Sequence, residues 1–343
     1  MSVRPLRIWL PSVRAGSGAD VFMLRLAAAL RRAGHEPLPQ WFDHRFELMP
    51  WRLGRVPAPE GIDLVHAGSW QGFAFKRVGV PLVVTEHQYV AHPAFIAQRG
   101  RLQAIYHQAF VEPCMRRSYR VANALVAVSQ HVAEAMEVDI GRKVDIIPNW
   151  VDCRHFAPGT IQRSGRGPFR LLFVGNPSRW KGADVLPRLA RKLGSGFEIG
   201  CLGGLRRGFD TTGLPPNMRP LPRTEPKDMP TLYRSFDAAL LPTRYEAFGY
   251  VALEAMACGL PVLGFASTGT AEVAVHGTTA LLAPMDDMDR LVEYARVLAR
   301  TPDLCQRLGS AGRKRAVACF DEPAAIDAYL ALYDRVLMRA TWS

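Results

Sequence analysis

At 343 residues the chain exceeds the size at which one hydrophobic core usually keeps growing, so two domains are expected. A hydrophobic share of 48% excludes an intrinsically disordered chain, and no apolar run reaches the roughly 18 residues of a membrane span. The formal net charge of +12, divided evenly between the two halves, favours an anionic partner (nucleic acid, an acidic membrane surface or a phosphorylated small molecule) and excludes a basic tail.

Residues 6–10 form a short apolar run that stops at Pro11 and reads as a buried strand. A loop with Gly16-Ser17-Gly18 follows, then a periodic helix over 19–33 stopped by Gly34. Further strands are expected at 64–66, 81–85 and 124–128, each followed by a loop or a helical pattern. Short strands alternating with helices predict a parallel sheet covered on both faces. The Pro/Gly/Arg-rich stretch 157–168 reads as a linker. The alternation then restarts, with strands at 169–174, 197–202, 238–241 and 261–265, and a closing helix over 322–338. The expected domains are therefore 1–155 and 156–321, with 322–343 a helix long enough to reach back to the first.

The chemistry concentrates in LLPTRYEAFGYVALEAMACGLPVLG, residues 240–264. A strand ends at Pro242, a loop holds Glu246, and Phe248-Gly249-Tyr250 opens a helix that carries Glu254 one turn in. A helix N-terminus at the carboxyl end of a parallel strand is where open α/β sheets bind ligands, and its amides and dipole suit a phosphate. Two glutamates flanking such a point suit the hydroxyls of a ribose and of a donor sugar.

The run E-x-F-G-x4-E-A-M-A-x-G-x-P-V resembles the signature of the retaining glycosyltransferase family 4, which has the GT-B fold: two Rossmann-like parallel-sheet α/β domains facing across a cleft. That resemblance implies that Glu246 contacts the donor sugar, that Glu254 holds the nucleotide ribose, and that the amides of Phe248, Gly249 and Tyr250 meet sugar and phosphates. The segment Phe173-Val174-Gly175-Asn176-Pro177-Ser178-Arg179-Trp180-Lys181-Gly182 is similar to the family's V-G-R-x4-K-G. Gly175 and Lys181 match, so Lys181 is implied in binding the donor diphosphate. Asn176 stands where the family has Arg, and Arg179 is the neighbouring cation able to supply the missing charge. Ser17-Gly18-Ala19-Asp20 resembles a Gly-Gly-Ala-Glu loop whose backbone approaches the donor phosphate at Gly18, and Thr85-Glu86-His87 a Thr-x-His whose histidine meets the donor sugar. Residues 126–132, with Pro148-Asn149-Trp150-Val151-Asp152, resemble the blocks before the interdomain linker, Trp150 replacing a Gly.

The resemblance implies a retaining, metal-independent hexosyltransferase acting between a nucleoside-diphosphate sugar and a glycan or lipid-linked acceptor, in cell-surface polysaccharide or lipopolysaccharide synthesis. His87, Lys181 and Glu246 are its implied catalytic residues; no cofactor, metal or nucleic acid is implied. Two other readings stand beside it. A nicotinamide-dependent oxidoreductase would use Gly16-x-Gly18 and Glu36, but Val21 occupies the place of the third glycine. A non-catalytic nucleotide-sugar-binding module is the other, because Ser17 and Asn176 depart from the family pattern. Nucleic-acid binding would explain the charge but has no motif behind it.

Smaller features have local explanations. Asp287-Met288-Asp289 has the form of a metal-binding D-x-D but precedes a helix, where acids act as caps. Residues 46–55 mix large apolar and basic side chains, suiting core packing, an acidic membrane surface or a lipid-linked acceptor, while Arg116-Arg117-Ser118-Tyr119-Arg120 reads equally as a solvated face. The six scattered cysteines have no zinc spacing and read as free thiols, and the apolar stretch of the N-terminal eleven residues is too short for a signal peptide. A cytoplasmic protein, peripheral on the inner face of a membrane, is the resulting expectation.

Overall fold

The computed structural model of the chain describes residues 4–159, 167–203 and 213–340. Residues 1–3 of the N-terminal stretch and 160–166 of the expected linker lie outside these. The described chain divides into two compact units, 1–149 with 323–343, and 150–322. No helix among the described residues is long and apolar enough to cross a membrane.

The first unit runs β1 (Arg7–Val13), α1 (Gly18–Arg32), β2 (Glu36–Phe42), β3 (Leu64–Gly68), β4 (Leu82–Glu86), α2 (Pro93–Ile96), α3 (Arg101–Tyr106), α4 (Glu112–Val121), β5 (Ala124–Ala127), α5 (Gln130–Ile140) and β6 (Asp145–Ile146). Its sheet has the order β2-β1-β3-β4-β5-β6 and is parallel throughout. The chain leaves β1 in one direction for β2 and returns on the other side for β3, so the carboxyl ends of β1 and β3 form a topological switch point, the usual place for a ligand.

In this unit the sequence expectation lacked β2 and the two-residue β6, and ended β1 too early. β1 does not stop at Pro11 but continues beside β2 to Val13; its ladder with β3 ends at Trp9, so the missing N–H of Pro11 breaks no rung there. β2 was not expected at all, because EPLPQWF carries Pro37 and Pro39. It forms because it is the edge strand, whose outer side needs no donors.

The second unit runs β7 (Phe169–Gly175), α6 (Leu186–Leu193), β8 (Phe197–Gly203), β9 (Met218–Leu221), α7 (Met229–Arg234), β10 (Ala238–Leu241), α8 (Tyr250–Ala257), β11 (Val262–Phe265), α9 (Thr268–Val273), β12 (Ala280–Ala283), α10 (Met288–Arg300) and α11 (Pro302–Phe320). Its parallel sheet has the order β12-β11-β10-β7-β8-β9, with the switch point between β7 and β10. Short apolar strands such as Ala238–Leu241 and Val262–Phe265 are buried along their whole length, as a sheet covered on both faces requires. Leu171, Phe173, Leu186, Leu189, Leu240, Leu263 and Leu298 are among the core side chains that pack this unit.

The last helix, α12 (Glu322–Ala340), belongs to the first unit. Its Tyr329 and Tyr333 are fully buried, and Leu332 is nearly so. The strip 150–153, where the chain enters the second unit, is tied to its exit: the Val151 amide donates to the Phe320 carbonyl at 3.0 Å, and the Cys153 amide to Asp321 Oδ1 at 3.1 Å.

Candidate active site

In the second unit the loops after β7 and β10 leave adjacent strands at the switch point. The first carries Lys181 and the second Glu246, 65 residues apart in sequence, and the Lys181 Nζ donates to Glu246 Oε2 at 2.5 Å. Both side chains keep partial exposure, 24% and 16%, so the pair is accessible to a ligand. Gly182, at φ +72°, follows Lys181. A Cβ there would stand 1.9 Å from the Pro242 carbonyl oxygen, so only glycine lets the two loops come this close.

Arg244 locks these loops together. Its guanidinium donates to both carboxylate oxygens of Asp184 (2.8 and 3.1 Å), to Asp286 Oδ1 (2.7 Å) and to the Arg179 carbonyl (2.8 Å). The Arg244 amide also donates to the Trp180 carbonyl at 2.8 Å. Hydrogen bonding to Asp184, with Asp286 adding to it, holds the Arg244 pKa above its ordinary value. Asp286 adopts φ +62°, the one non-glycine residue with positive φ among those described, in order to meet Arg244.

Gly249 caps α8 at φ +100°, ψ 53°, a left-handed turn that swings the chain from the Glu246 loop into the helix. The Glu246 carbonyl accepts from the Gly269 amide (2.8 Å) and from Thr268 Oγ1 (2.7 Å), and its amide donates back to Thr268 Oγ1 at 3.0 Å. The start of α9 therefore holds Glu246 from behind. The Phe248 ring is buried against Phe320 and Tyr250, at 5.7 Å in both cases, which leaves its backbone as the part able to face a ligand. Glu254 is 9% exposed and its Oε2 accepts from the buried Tyr233 hydroxyl at 2.9 Å; it is not a solvated helix residue. Arg179 is exposed and begins the short helical turn that contains Lys181. Gly175 is the last residue of β7, immediately before the loop.

The first unit has its own constellation. Ser17 caps α1, its Oγ accepting from the Ala19 amide at 3.3 Å, so Gly18 opens the helix. The Asp20 carboxylate accepts from the amides of Ala15 (3.1 Å) and Gly16 (2.8 Å), so two of the loop amides are already engaged. His87 follows β4, with the Phe22 ring of α1 at 4.4 Å. Burial lowers its pKa to about 4, so the ring is neutral at pH 7. Behind it, buried His66 bonds Thr85 Oγ1 through Nε2 (2.7 Å) and the Tyr333 hydroxyl of α12 through Nδ1 (2.6 Å). Burial, with His87 nearby, lowers His66 to about 3. Between Thr85 and His87, Glu86 accepts from the Tyr119 hydroxyl and from the Gln88 amide (2.8 Å), and burial raises its pKa.

Several of these residues escaped the sequence reading. Arg244 was visible as a lone cation between a buried strand and the Glu246 loop, but its two acids lie 60 and 42 residues away. Thr268, Gly269, Tyr233, His66 and Tyr333 carried no local signal. Glu36, the ribose acid of the oxidoreductase reading, is instead paired with Arg7 at 3.0 Å on the edge strand. Asp287 caps α10 through the Arg290 amide (2.9 Å), and Asp289 meets Lys192 at 2.6 Å. All six cysteines are free. Of residues 46–55, Leu53 is buried while Trp51 is 56% exposed; Arg116 pairs with Asp139 at 2.6 Å.

The sequence matches two family models, Glycosyltransferase Family 4 over residues 37–155 and Glycosyl transferases group 1 over residues 161–315. It is 30% identical over 297 residues to a D-inositol 3-phosphate glycosyltransferase of Arthrobacter sp., covering 77% of this chain and 68% of that one. The fold is similar to that of sucrose-phosphate synthase from Thermosynechococcus elongatus, with a TM-score of 0.81 at 18% identity over 97% of this chain and all of the other. HepE from Anabaena in complex with UDP-glucose gives a TM-score of 0.73 at 17% identity, covering 95% of this chain and 99% of that one.

Proposed function

We propose, for a chain that belongs to the group 1 glycosyltransferases of family 4 and has their two-domain α/β GT-B fold, that it moves a hexose from a nucleoside diphosphate to an acceptor hydroxyl with retention of configuration. The observation that carries this reading is the Lys181–Glu246 pair at the switch point of the second sheet, beside the N-terminus of α8. A cation, a carboxylate and a helix start at one strand end provide for a diphosphate and for the hydroxyls of the sugar attached to it. Among the similar folds is one determined with UDP-glucose, which supports a donor of that type here.

In this reading Lys181 and Arg179 stabilise the charge that develops on the departing diphosphate, with the amides of Gly18, Phe248, Gly249 and Tyr250 and the backbone at Gly175 contributing fixed dipoles. Glu246 takes hydroxyls of the sugar, and Glu254, oriented by Tyr233, takes those of the ribose. The neutral ring of His87 meets the sugar. The bond from the anomeric carbon to the diphosphate oxygen breaks and its electron pair leaves with the phosphate. The acceptor oxygen bonds the same face, and its proton passes to the departing phosphate oxygen. Positive charge comes from side chains, so the reading is metal-independent.

The acceptor is a glycan or a lipid-linked saccharide, in the making of a cell-surface polysaccharide or lipopolysaccharide. Exposed Leu48 and Trp51 beside Arg52 and Arg55 support a peripheral position on an acidic inner membrane face, and with it a cytoplasmic location.

Calorimetry against UDP, GDP, ADP and their hexose conjugates tests the donor site. One nucleotide is expected to bind the wild-type protein, and Glu254→Ala to weaken it about tenfold or more, a hydrogen bond to a charged group contributing about 1.5–3 kcal/mol. Absence of binding to every nucleotide overturns the reading.

A further inference from the structure

The segment between β4 and α4 contains a buried cation that the reaction above does not use. Arg99 lies just beyond α2, and its side chain is 1% exposed. Its Nη1 donates to Glu112 Oε1 at 3.3 Å. Nε and Nη2 are buried and have no hydrogen-bond partner among the described residues. Those two nitrogens form one edge of the guanidinium, the fork that grips a carboxylate or a phosphate through two parallel hydrogen bonds. Burying a cation with that edge unsatisfied is unfavourable, and a single long contact to Glu112 compensates little of it.

Two further buried polar atoms accompany it. His107 stacks on Phe95, centroids 5.7 Å apart with the planes inclined by 13°, and Phe95 lies in α2 four residues before Arg99. His107 Nδ1 and Gln98 Oε1 likewise have no hydrogen-bond partner among the described residues. Burial, with the charge of Arg99 adding to it, lowers the His107 pKa to about 4, so the ring is neutral and Nδ1 can carry a proton to donate. His107 also begins the π-helical turn His107–Val111, an irregularity of the kind that recurs at functional sites.

Arg99 and His107 are joined in sequence by α3. α3 buries none of its side chains, and its Leu102 and Ile105 are exposed by 85% and 63%. A short segment with so little buried surface opens locally at small cost, which gives a ligand a way in.

We propose that the side-on fork of Arg99, with His107 Nδ1 beside it, binds an oxyanion carried by the acceptor substrate, a phosphate or a carboxylate. Arg99 then donates two hydrogen bonds and His107 a third, while Gln98 Oε1 accepts from a hydroxyl next to the anion. The identification of the ligand as the acceptor rests on the glycosyltransferase reading; the oxyanion site itself does not. The formal charge of +12 draws such a ligand to the protein.

The test uses the full chain with UDP saturating, so that the diphosphate site is filled, and adds inorganic phosphate or acetate at constant ionic strength. The readouts are the His107 imidazole resonance, assigned with His107→Gln, and the melting temperature. Phosphate is expected to move the His107 signal saturably and to raise the melting temperature. Arg99→Lys is expected to weaken that response at least tenfold while UDP still binds, because an ammonium cannot form the fork. A parallel response to acetate assigns the site to carboxylates as well, and its absence restricts the site to phosphates. The proposal is overturned if phosphate leaves His107 unmoved in a protein that binds UDP, or if Arg99→Lys binds phosphate as the wild type does. A protein that fails to bind UDP but responds to phosphate at His107 loses the donor reading and keeps this site.

Discussion

The two units place functional candidates at the ends of similar parallel sheets but hold them by different physics. In the second unit the Lys181 and Glu246 loops are joined by ions: Arg244 between Asp184 and Asp286, and Lys181 against Glu246. In the first, the strand end that carries His87 is held by uncharged hydrogen bonds and packing: His66 between Thr85 and Tyr333, and the Phe22 ring against His87. An ionic site can exchange one charged partner for another, which suits a diphosphate that arrives and leaves. A neutral, close-packed site keeps a ring in one orientation and in one protonation state. The contrast predicts that charge-removing substitutions damage function most in the second unit, and that acid damages stability most in the first.

The largest effect is expected at the ion pair. Lys181→Ala and Glu246→Ala should each reduce donor-dependent transfer by about 10²–10³-fold in kcat, the usual loss when one electrostatic stabiliser of a transition state is removed. Turnover near the wild-type rate in either variant would take that residue out of the chemistry.

Arg244 comes next. It touches no substrate in the proposed reaction and acts by fixing the loop of Lys181. Arg244→Ala should lower kcat/KM by up to about 100-fold through misplacement of that loop. Arg244→Lys should recover little of this, since one ammonium cannot serve two carboxylates and a carbonyl. Full recovery by lysine would mean that charge alone, and not the planar fork, holds the loops.

The first unit is probed by stability. Tyr333→Phe leaves His66 Nδ1 without its partner inside the protein and should cost about 1–3 kcal/mol, read from urea unfolding. An unchanged midpoint would show that α12 is anchored by its apolar contacts alone.

Acid acts on the same unit through its buried histidines. His66, His87 and His107 are neutral when folded, with pKa values lowered to about 3, about 4 and about 4. When unfolded they titrate near an ordinary value of about 6.5, so below that pH protons favour the unfolded chain. Stability is therefore full above about pH 6.5 and is lost as the pH falls toward 4, by at most about 1.4 kcal/mol per pH unit for each histidine. Hydrogen exchange at pH 7 and pH 5 should show protection lost first in β3 and β4. Loss beginning instead in β7 and β10 would reverse the comparison.

What could be read from the sequence depended on how local its cause was. The glutamate motif was legible because Glu246, Gly249 and Glu254 lie on one continuous loop and helix. The parallel character of both sheets was legible because buried parallel strands are apolar along their whole length, as in residues 238–241. β2 was missed because its prolines argue against a central strand, and its edge position is a property of the sheet and not of the segment. Arg244 could be seen but not interpreted, because its partners come from other loops. Arg99 gave no signal in the sequence, since an arginine in a polar stretch looks solvated until its side chain is seen to be buried.

By itself, then, the sequence determined the family, the α/β class, the alternation of elements and the residue types at the glutamate motif, because hydrophobic period, glycine geometry and helix starts act over a few residues. Only the tertiary structure decided that β7 lies beside β10, which brings Lys181 to Glu246, that α12 delivers Tyr333 to His66, and that Arg99 is enclosed. These depend on strand order and on which side chains end up removed from water, and both are set by the packing of distant segments that no local pattern encodes.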